Sequence, residues 1–434
     1  MDIIDLQNTG TKETGPATAG KDCLGEILKA ELELGRLLFT AGSPGQRILD
    51  SITFLNEKLE GGKLKVFLGF EALIITLEQG TKRRVGMVDY PMPAALNANA
   101  ISEISQYLHS LPEGKDPGTV LHDLEQLPLW RQYDRILTVG AITLFTVIFG
   151  YFNHADAWAL LIIGIAALLA AMARILVTGR GYSYYLGVLA TTLLATLTAA
   201  MLSRVIPTDT PLISLIIPCI FVIPGYQLIN GGWEVLRNHL HIGIPRLVVF
   251  LNVLAIMTVG LLAVLLVYNP GPDGPGLYLP LSVSLVTVTV LGGLTAACYC
   301  VLMNAPRQAI VVCFLCGAAG RLIRNWVVMA GGDVYLGVFC GTLLISVLAL
   351  LLCPYWKLPV ALPLVAASAQ FIPGYYIILC LQGMARIISM GQPVPYAVVT
   401  STISNGLLSL FVAASIVMGT LLPLLIFGKD RRWY

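Results

Sequence analysis

The sequence predicts an α-helical polytopic membrane protein: a small soluble α+β domain, then ten transmembrane helices in an inverted 5+5 repeat with two broken helices. Three observations carry this expectation. Polarity is segregated along the chain. Only 12% of the 434 residues are charged, against about 25% in an ordinary soluble protein. The first 135 residues hold 19 of the 25 acids and 14 of the 27 Lys and Arg, whereas Ile136–Phe427 holds five acids (Asp156, Asp209, Glu234, Asp273, Asp333) and ten bases. Ten apolar segments follow residue 135, each near the ~20 residues a spanning helix needs. Two of these segments contain a Pro-Gly break in nearly the same words, Phe221-Val-Ile-Pro-Gly-Tyr226 and Phe371-Ile-Pro-Gly-Tyr375.

Residues 1–21 are rich in Thr, Gly, Ala and Lys and read as a disordered leader. Met1-Asp-Ile-Ile-Asp-Leu6 has neither a basic nor an apolar signal region, so no signal peptide is expected. The soluble domain is expected over 22–130. Leu24, Ile27, Leu28, Leu32, Leu34, Leu37 and Leu38 recur at helical spacing after Asp22, a residue suited to capping. Ala41-Gly-Ser-Pro-Gly45 interrupts the pattern, and a second helix over 46–59 buries Ile48, Ile52 and Leu55. Three strands follow, Lys63–Leu68, Leu73–Leu77 and Arg83–Val88, punctuated by Gly69 and Gly80. Helices over 94–109 and 119–127 complete the domain. Lys82-Arg83-Arg84 reads as a solvated strand edge, with contact to anionic headgroups as the sharper alternative. No phosphate loop, catalytic triad or metal-ligand spacing stands out. Cys313-x-x-Cys316 lies inside an apolar span with no second pair and reads as packing.

Trp130, Arg131, Tyr133 and Arg135 mark a membrane interface. The first five spans (136–153, 157–178, 184–203, 211–232, 246–268) make repeat 1 over 131–268. An external linker follows over 269–276, containing Asn269-Pro-Gly-Pro-Asp-Gly-Pro275. Repeat 2 covers 277–428 with spans at 277–302, 308–330, 334–353, 358–382 and 394–427, and 429–434 is a basic tail. The bias of Lys and Arg (Arg131, Arg135, Arg180, Arg237, Arg246, Arg307, Lys357, Lys429, Arg431 and Arg432 on one side) places both termini in the cytoplasm of a cell membrane.

The repeat rests on a shared offset of 149–150 residues. It superposes Arg174 on Arg324, Gly181 on Gly331, Tyr185-Leu-Gly-Val188 on Tyr335-Leu-Gly-Val338, Pro224-Gly-Tyr226 on Pro373-Gly-Tyr375 and Pro245 on Pro395. Five spans per copy turn the second copy over, and inverted repeats with discontinuous helices mark transporter sites. The candidate substrate-binding or gating residues are therefore Pro224, Gly225, Tyr226, Gln227 and Asn230 at the first break, and Gln370, Pro373, Gly374 and Tyr375 at the second. Arg174 and Arg324 join them, as symmetric gates, as a receptor for a carboxylate, or as residues snorkelling to the two interfaces. Asp333 is a possible partner for Arg324, and Arg321 has only Ala171 opposite it in the repeat. Glu234 is either the coupling residue that carries a proton or an interfacial acid. Asn252, Gln382, Ser404 and Asn405 are further polar candidates, while His239 and His241 read as interfacial.

This layout resembles the threonine/serine exporter (ThrE) family over about residues 25–427: the domain order, Ile223-Pro-Gly-Tyr226 and Ile372-Pro-Gly-Tyr375 carry the likeness. The family's Gly-Ala-Glu-Ser-x-Arg-Val-Glu-like loop corresponds to Gly42-Ser-Pro-Gly-Gln-Arg47-Ile-Leu-Asp50, which keeps the Arg and loses the first acid. The resemblance implies proton-driven export of threonine, serine or similar small amino acids, so the expected partners are a small amino-acid substrate, protons and the lipid bilayer. The N-domain is expected to regulate, gate or dimerise, which makes a homo-oligomer one of the partner expectations. No cofactor, metal or nucleic acid is expected, and no enzymatic role. A membrane-anchored sensor or scaffold with an active N-domain is the alternative, as is a transporter of another small anion or zwitterion.

Overall fold

A computed structural model describes residues 4–5, 22–90, 96–127, 133–178, 181–268, 281–390 and 393–427. Most of the expected leader, the interface residues Trp130 and Arg131, Arg180, the external linker 269–276 and the basic tail lie outside the described residues. The chain divides into two compact units, Met1–Arg131 with Glu234–Pro245, and Gln132–Trp233 with Arg246–Tyr434.

The first unit is α+β. Its sheet has the order β1-β4-β3-β2, with β1 Ile4–Asp5, β2 Lys63–Leu68, β3 Ala72–Gln79 and β4 Lys82–Asp89, all neighbours antiparallel. Two residues of the leader thus pair with Met87 and Gly86. In β3 every second side chain is buried (Leu73, Ile75, Leu77), the period-2 signature of a sheet with one face on a core. That face is covered by α1 Cys23–Thr40 and α2 Gly45–Lys58, whose Leu28, Leu32, Phe39, Ile48 and Ile52 are buried with it. Gly86 lets α1 lie close to the sheet: a Cβ there would sit 2.7 Å from a Leu32 methyl. The helices begin where the sequence offers caps. Asp22, Asn97 and Asp116 accept from Gly25, Ala100 and Thr119 at the starts of α1, α3 Ala98–Ser110 and α4 Pro117–Gln126. The Lys82-Arg83-Arg84 run opens β4 opposite Gln79 and Glu78. Arg83 pairs with Glu78 and Arg84 with Asp22; β1 covers only Gly86 and Met87 of β4, so the Lys82-Arg83-Arg84 run keeps one open side and Lys82 and Arg83 are exposed.

The second unit is helical. In order it comprises α5 Arg135–Phe152, α6 Ala157–Thr178, α7 Tyr184–Ser203, α8 Pro211–Ile216 with a 3-10 turn Ile217–Val222, α9 Gly225–Leu236 and α10 Leu240–Leu265. After the linker come α11 Leu281–Leu302, α12 Ala309–Met329, α13 Val334–Trp356, α14 Ala361–Ser368 with a 3-10 turn Ala369–Phe371, α15 Gly374–Met390 and α16 Tyr396–Phe427. Among the described residues eight helices are long and apolar enough to cross a membrane, or up to ten if each bent pair is one span. The bent pairs are the two Pro-Gly segments, turned by 63° at the first break and 46° at the second. The over-long last segment is one continuous 32-residue helix containing Pro423. The fifth span starts earlier than position 246: α10 begins at Leu240 and runs through Pro245. Small residues bring neighbours together, as lipid-embedded packing requires. A Cβ on Gly341 of α13 would lie 2.6 Å from the Gly320 carbonyl oxygen of α12, and Cys313 and Cys316 are buried on the same α12.

One buried charge in the first unit sits in an apolar setting. Glu31 on α1 is fully buried, and neither carboxylate oxygen has a hydrogen-bond partner among the described residues. Burial pushes its carboxyl up to about 9. The unfolded chain then releases this proton first, so stability falls as pH rises between about 4.5 and about 9. Glu31→Gln is expected to stabilise the chain by roughly 2 kcal/mol at neutral pH. The gap over wild type should shrink in acid and widen in alkali. Thermal unfolding of the full-length, detergent-solubilised pair across that range checks it; a gap independent of pH would contradict it.

Candidate site at the paired helix breaks

Both breaks are built alike. The residue before each proline is extended, Ile223 at φ −64, ψ 120 and Ile372 at φ −58, ψ 124, as the proline ring demands of its predecessor. The 3-10 turn ahead of each is closed by the same bond, Ile223 N–H donating to Ile220 O at 3.1 Å and Ile372 N–H to Ala369 O at 3.3 Å. A new helix starts at each glycine. In lipid such freed backbone is tolerated only where protein or water satisfies it, and here the two breaks cover each other. A Cβ on Gly225 would lie 2.0 Å from the Ile372 Cδ1, and a Cβ on Gly374 would lie 2.2 Å from the Ile223 Cδ1. Each isoleucine therefore occupies the space left by the other motif's glycine.

Around the first break the polar residues are buried. Tyr226, Gln227 and Asn230 are all under a tenth exposed. Gln227 Nε2 donates to the Tyr226 hydroxyl at 3.1 Å, and its Oε1 is buried without a partner among the described residues. Tyr226 shares its surroundings with Tyr184, Tyr299 and Arg246. The Tyr299 hydroxyl lies 3.4 Å from where a Gly225 Cβ would be. Arg174 enters through Tyr184, with its guanidinium carbon 5.9 Å from that ring centroid. So the structure brings Arg174, Tyr226 and Gln227 into one neighbourhood and adds three residues to it. Arg246, expected in a cytoplasmic connection, lies within α10, which starts six residues earlier, and is 1% exposed. The signal available was its place directly after Pro245, one of the repeat-matched prolines.

At the second break Pro373 and Gly374 are buried while Tyr375 is half-buried, stacked edge-on with Tyr376 at 5.6 Å. Gln370 is buried and its Nε2 donates to two carbonyls, Gly317 at 3.0 Å and Ala367 at 2.9 Å. Arg324 and Arg321 of α12 lie in the field of Tyr376. Arg324 donates to Asn325 Oδ1 at 2.7 Å. Asp333 is not its partner: that carboxylate accepts from the Tyr335 hydroxyl at 2.7 Å. Arg321 is buried with its guanidinium carbon over Phe152, 3.4 Å from the ring centroid. Of the remaining polar candidates Gln382 is buried, Asn405 half-buried, and Asn252 and Ser404 are exposed on the outside of the helices.

Glu234, seven residues after Gln227 on α9, belongs with the first unit. Helix α2 follows Pro44, which offers no capping side chain, and Glu234 Oε1 accepts from the Gly45 N–H at 2.5 Å in its place. A carboxylate at a helix N-terminus is favoured by the orphan N–H groups and the helix dipole. Its Oε2 meets His239 Nδ1 at 3.0 Å, and His241 stacks on Phe67 at 5.4 Å. Arg47, retained from the loop motif, donates to the Ser105 hydroxyl. Burial holds its guanidinium down at about 10, opposed by Asp50. Among the described residues no group of three or more His, Cys, Asp or Glu is placed to hold a metal ion.

Two family models match the chain. One described as a threonine/serine exporter (ThrE) matches residues 30–268, and a second threonine/serine exporter model matches residues 289–426. No curated protein and no solved structure matches it.

The interlocked glycines give a direct expectation. Gly225→Val places branched carbons where Ile372 packs and should lower transport at least about tenfold, the effect of one or two kcal/mol of overpacking. Adding Ile372→Ala should restore much of it. Transport assays on the single and double variants at matched membrane abundance check the pair; equal activity of Gly225→Val and the double variant would contradict the contact.

Proposed function

Because the chain belongs to the threonine/serine exporter family, we propose that it is a secondary active transporter exporting threonine, serine or similar small amino acids from the cytoplasm. The chain is a multi-pass membrane protein. In our reading it lies in the cytoplasmic membrane with both termini inside, and the two sets of five spans form an inverted repeat that works by alternating access. The observation that carries this reading is the reciprocal seating of Ile223 and Ile372 on Gly374 and Gly225. A mere anchor gains nothing from two matched breaks in mutual contact. A transporter needs discontinuous helices at its site and a contact that can change between two states.

The roles follow from placement. Tyr226, Gln227 and Asn230 line the first break, and Gln370 and Tyr375 the second, with Pro224, Gly225, Pro373 and Gly374 setting the backbone. Arg174 and Arg324 act as the symmetric gate pair, each near a tyrosine, Tyr184 or Tyr376. Protons drive export, with Glu234 as the coupling candidate, its carboxylate shared between Gly45 and His239. The N-domain regulates this step through Glu234.

A second reading has one specific observation in its favour. Arg321 and Arg324 lie close together, and among the described residues no carboxylate is within ion-pair distance of either. A fully anionic small solute would suit that field better than a zwitterion.

Efflux from proteoliposomes loaded with labelled threonine, with and without an inward proton gradient, separates these. The proposal expects gradient-stimulated efflux, suppressed by excess serine, and at least about a tenfold loss in Tyr226→Ala and Tyr375→Ala variants that still insert. Full efflux in both variants would overturn the paired site. No threonine or serine flux, with flux of a small anion, would transfer the assignment to the second reading.

A further inference from the structure

The side chains at Gly292 of α11 carry chemistry that the paired breaks do not use. A Cβ built on Gly292 would lie 2.5 Å from Arg321 Cβ and 2.9 Å from Gln370 Oε1, so an arginine from α12 and a glutamine from the second break meet at this one glycine. Both are buried. The amide of Gln370 is oriented by its own bonds, since Nε2 supplies hydrogens to the Gly317 and Ala367 carbonyls. Its Oε1 is left as a buried acceptor without a partner among the described residues. Arg321 Nε is a buried donor in the same condition, and one face of its guanidinium is covered by Phe152.

An uncompensated buried guanidinium is costly, and a hydrogen-bonded carboxylate is its natural complement. A buried amide oxygen accepts from an ammonium group. A donor for a carboxylate and an acceptor for an ammonium, held together by one glycine, have the pattern of an α-amino acid's two charged ends. Arg321 also breaks the repeat: Ala171 stands at the matching position and is fully buried. Gates of an inverted repeat come in pairs, as Arg174 and Arg324 do. A substrate with one carboxylate needs one receptor, and the unmatched arginine is suited to that.

We propose that Arg321 and Gln370, beside Gly292, form the α-amino-acid recognition site, with the Arg321 guanidinium receiving the substrate carboxylate and Gln370 Oε1 the ammonium. This rests on the export of small amino acids proposed above. It adds which charged ends are read and by which residues, while the hydroxyl-bearing side chain is left to the tyrosines and amides of the breaks.

The test is competition for labelled threonine uptake in proteoliposomes by three probes: threonine itself, its decarboxylated analogue 1-amino-2-propanol, and its deaminated analogue 3-hydroxybutanoate. Wild type should prefer threonine over either analogue by about 100-fold, the worth of one lost charge-assisted contact. In Arg321→Gln the affinity for threonine should drop toward that of 1-amino-2-propanol, whose own affinity should change little. Arg321→Lys, which keeps the charge, should recover part of the preference. Gln370→Leu should erase the preference over 3-hydroxybutanoate and keep that over the amine. An Arg321→Gln protein that discriminates like wild type would overturn the proposal, as would a Gln370→Leu protein that rejects both analogues equally well. If Arg321→Gln does not insert, Arg321→Lys and Gln370→Leu decide by the same ratios. Wild type that moves neither threonine nor serine would instead remove the export reading, and this site with it.

Discussion

Ile372 packs against Gly225 and Ile223 against Gly374, and these two contacts join the broken helices of the helical unit. Each needs a glycine, because any Cβ would occupy the isoleucine's place. Each needs the proline, because the ring holds the isoleucine extended and stops the incoming turn. Each needs the other, because a helix interrupted in lipid leaves backbone groups that only protein or water can satisfy. The surrounding spans are joined through small residues such as Gly320 and Gly341, which lets α13 pack close against α12, the helix that carries both Arg321 and Arg324.

Electrostatics gives the two halves different characters. The first break is enclosed and rich in hydroxyl and amide groups, with Arg246 among them. The second leaves Tyr375 half-buried near two arginines that, among the described residues, have no carboxylate within ion-pair distance. Intramembrane charges are costly and are usually functional or paired, which is why the proposed carboxylate receptor is placed here. Within the first unit, Glu234 caps α2, whose N-cap Pro44 offers no capping side chain.

Much of this was legible in the sequence because it follows from local rules. Strand alternation located Lys63–Leu68 to the residue, caps located α1, and the two Pro-Gly sequences located both bends. The likeness to threonine/serine exporters, carried by those same sequences, agrees with the family models over most of the chain. What was not legible depends on distance along the chain or on helix rotation. Glu234 and Gly45 are 189 residues apart, so no spacing rule joins them. Arg246 followed a proline that reads as a helix start, and the helix had begun earlier. Asn252 and Ser404 had the right chemistry in apolar spans, and the rotation of their helices turned them outward. Arg321 and Gln370 meet because α11 offers a glycine between them, which neither residue's own neighbourhood reveals.

The central claim is that the crossing of the two breaks is the moving part of a transporter. Cross-linking across it is the most direct measurement. In a background with the nine native cysteines replaced, Gly225→Cys with Ile372→Cys, and separately Gly374→Cys with Ile223→Cys, would be oxidised in proteoliposomes and threonine efflux followed before and after reduction. The account predicts that both pairs cross-link, that cross-linking arrests efflux, and that a reductant restores it. Cross-linked protein that exports threonine at the rate of its reduced form would contradict it.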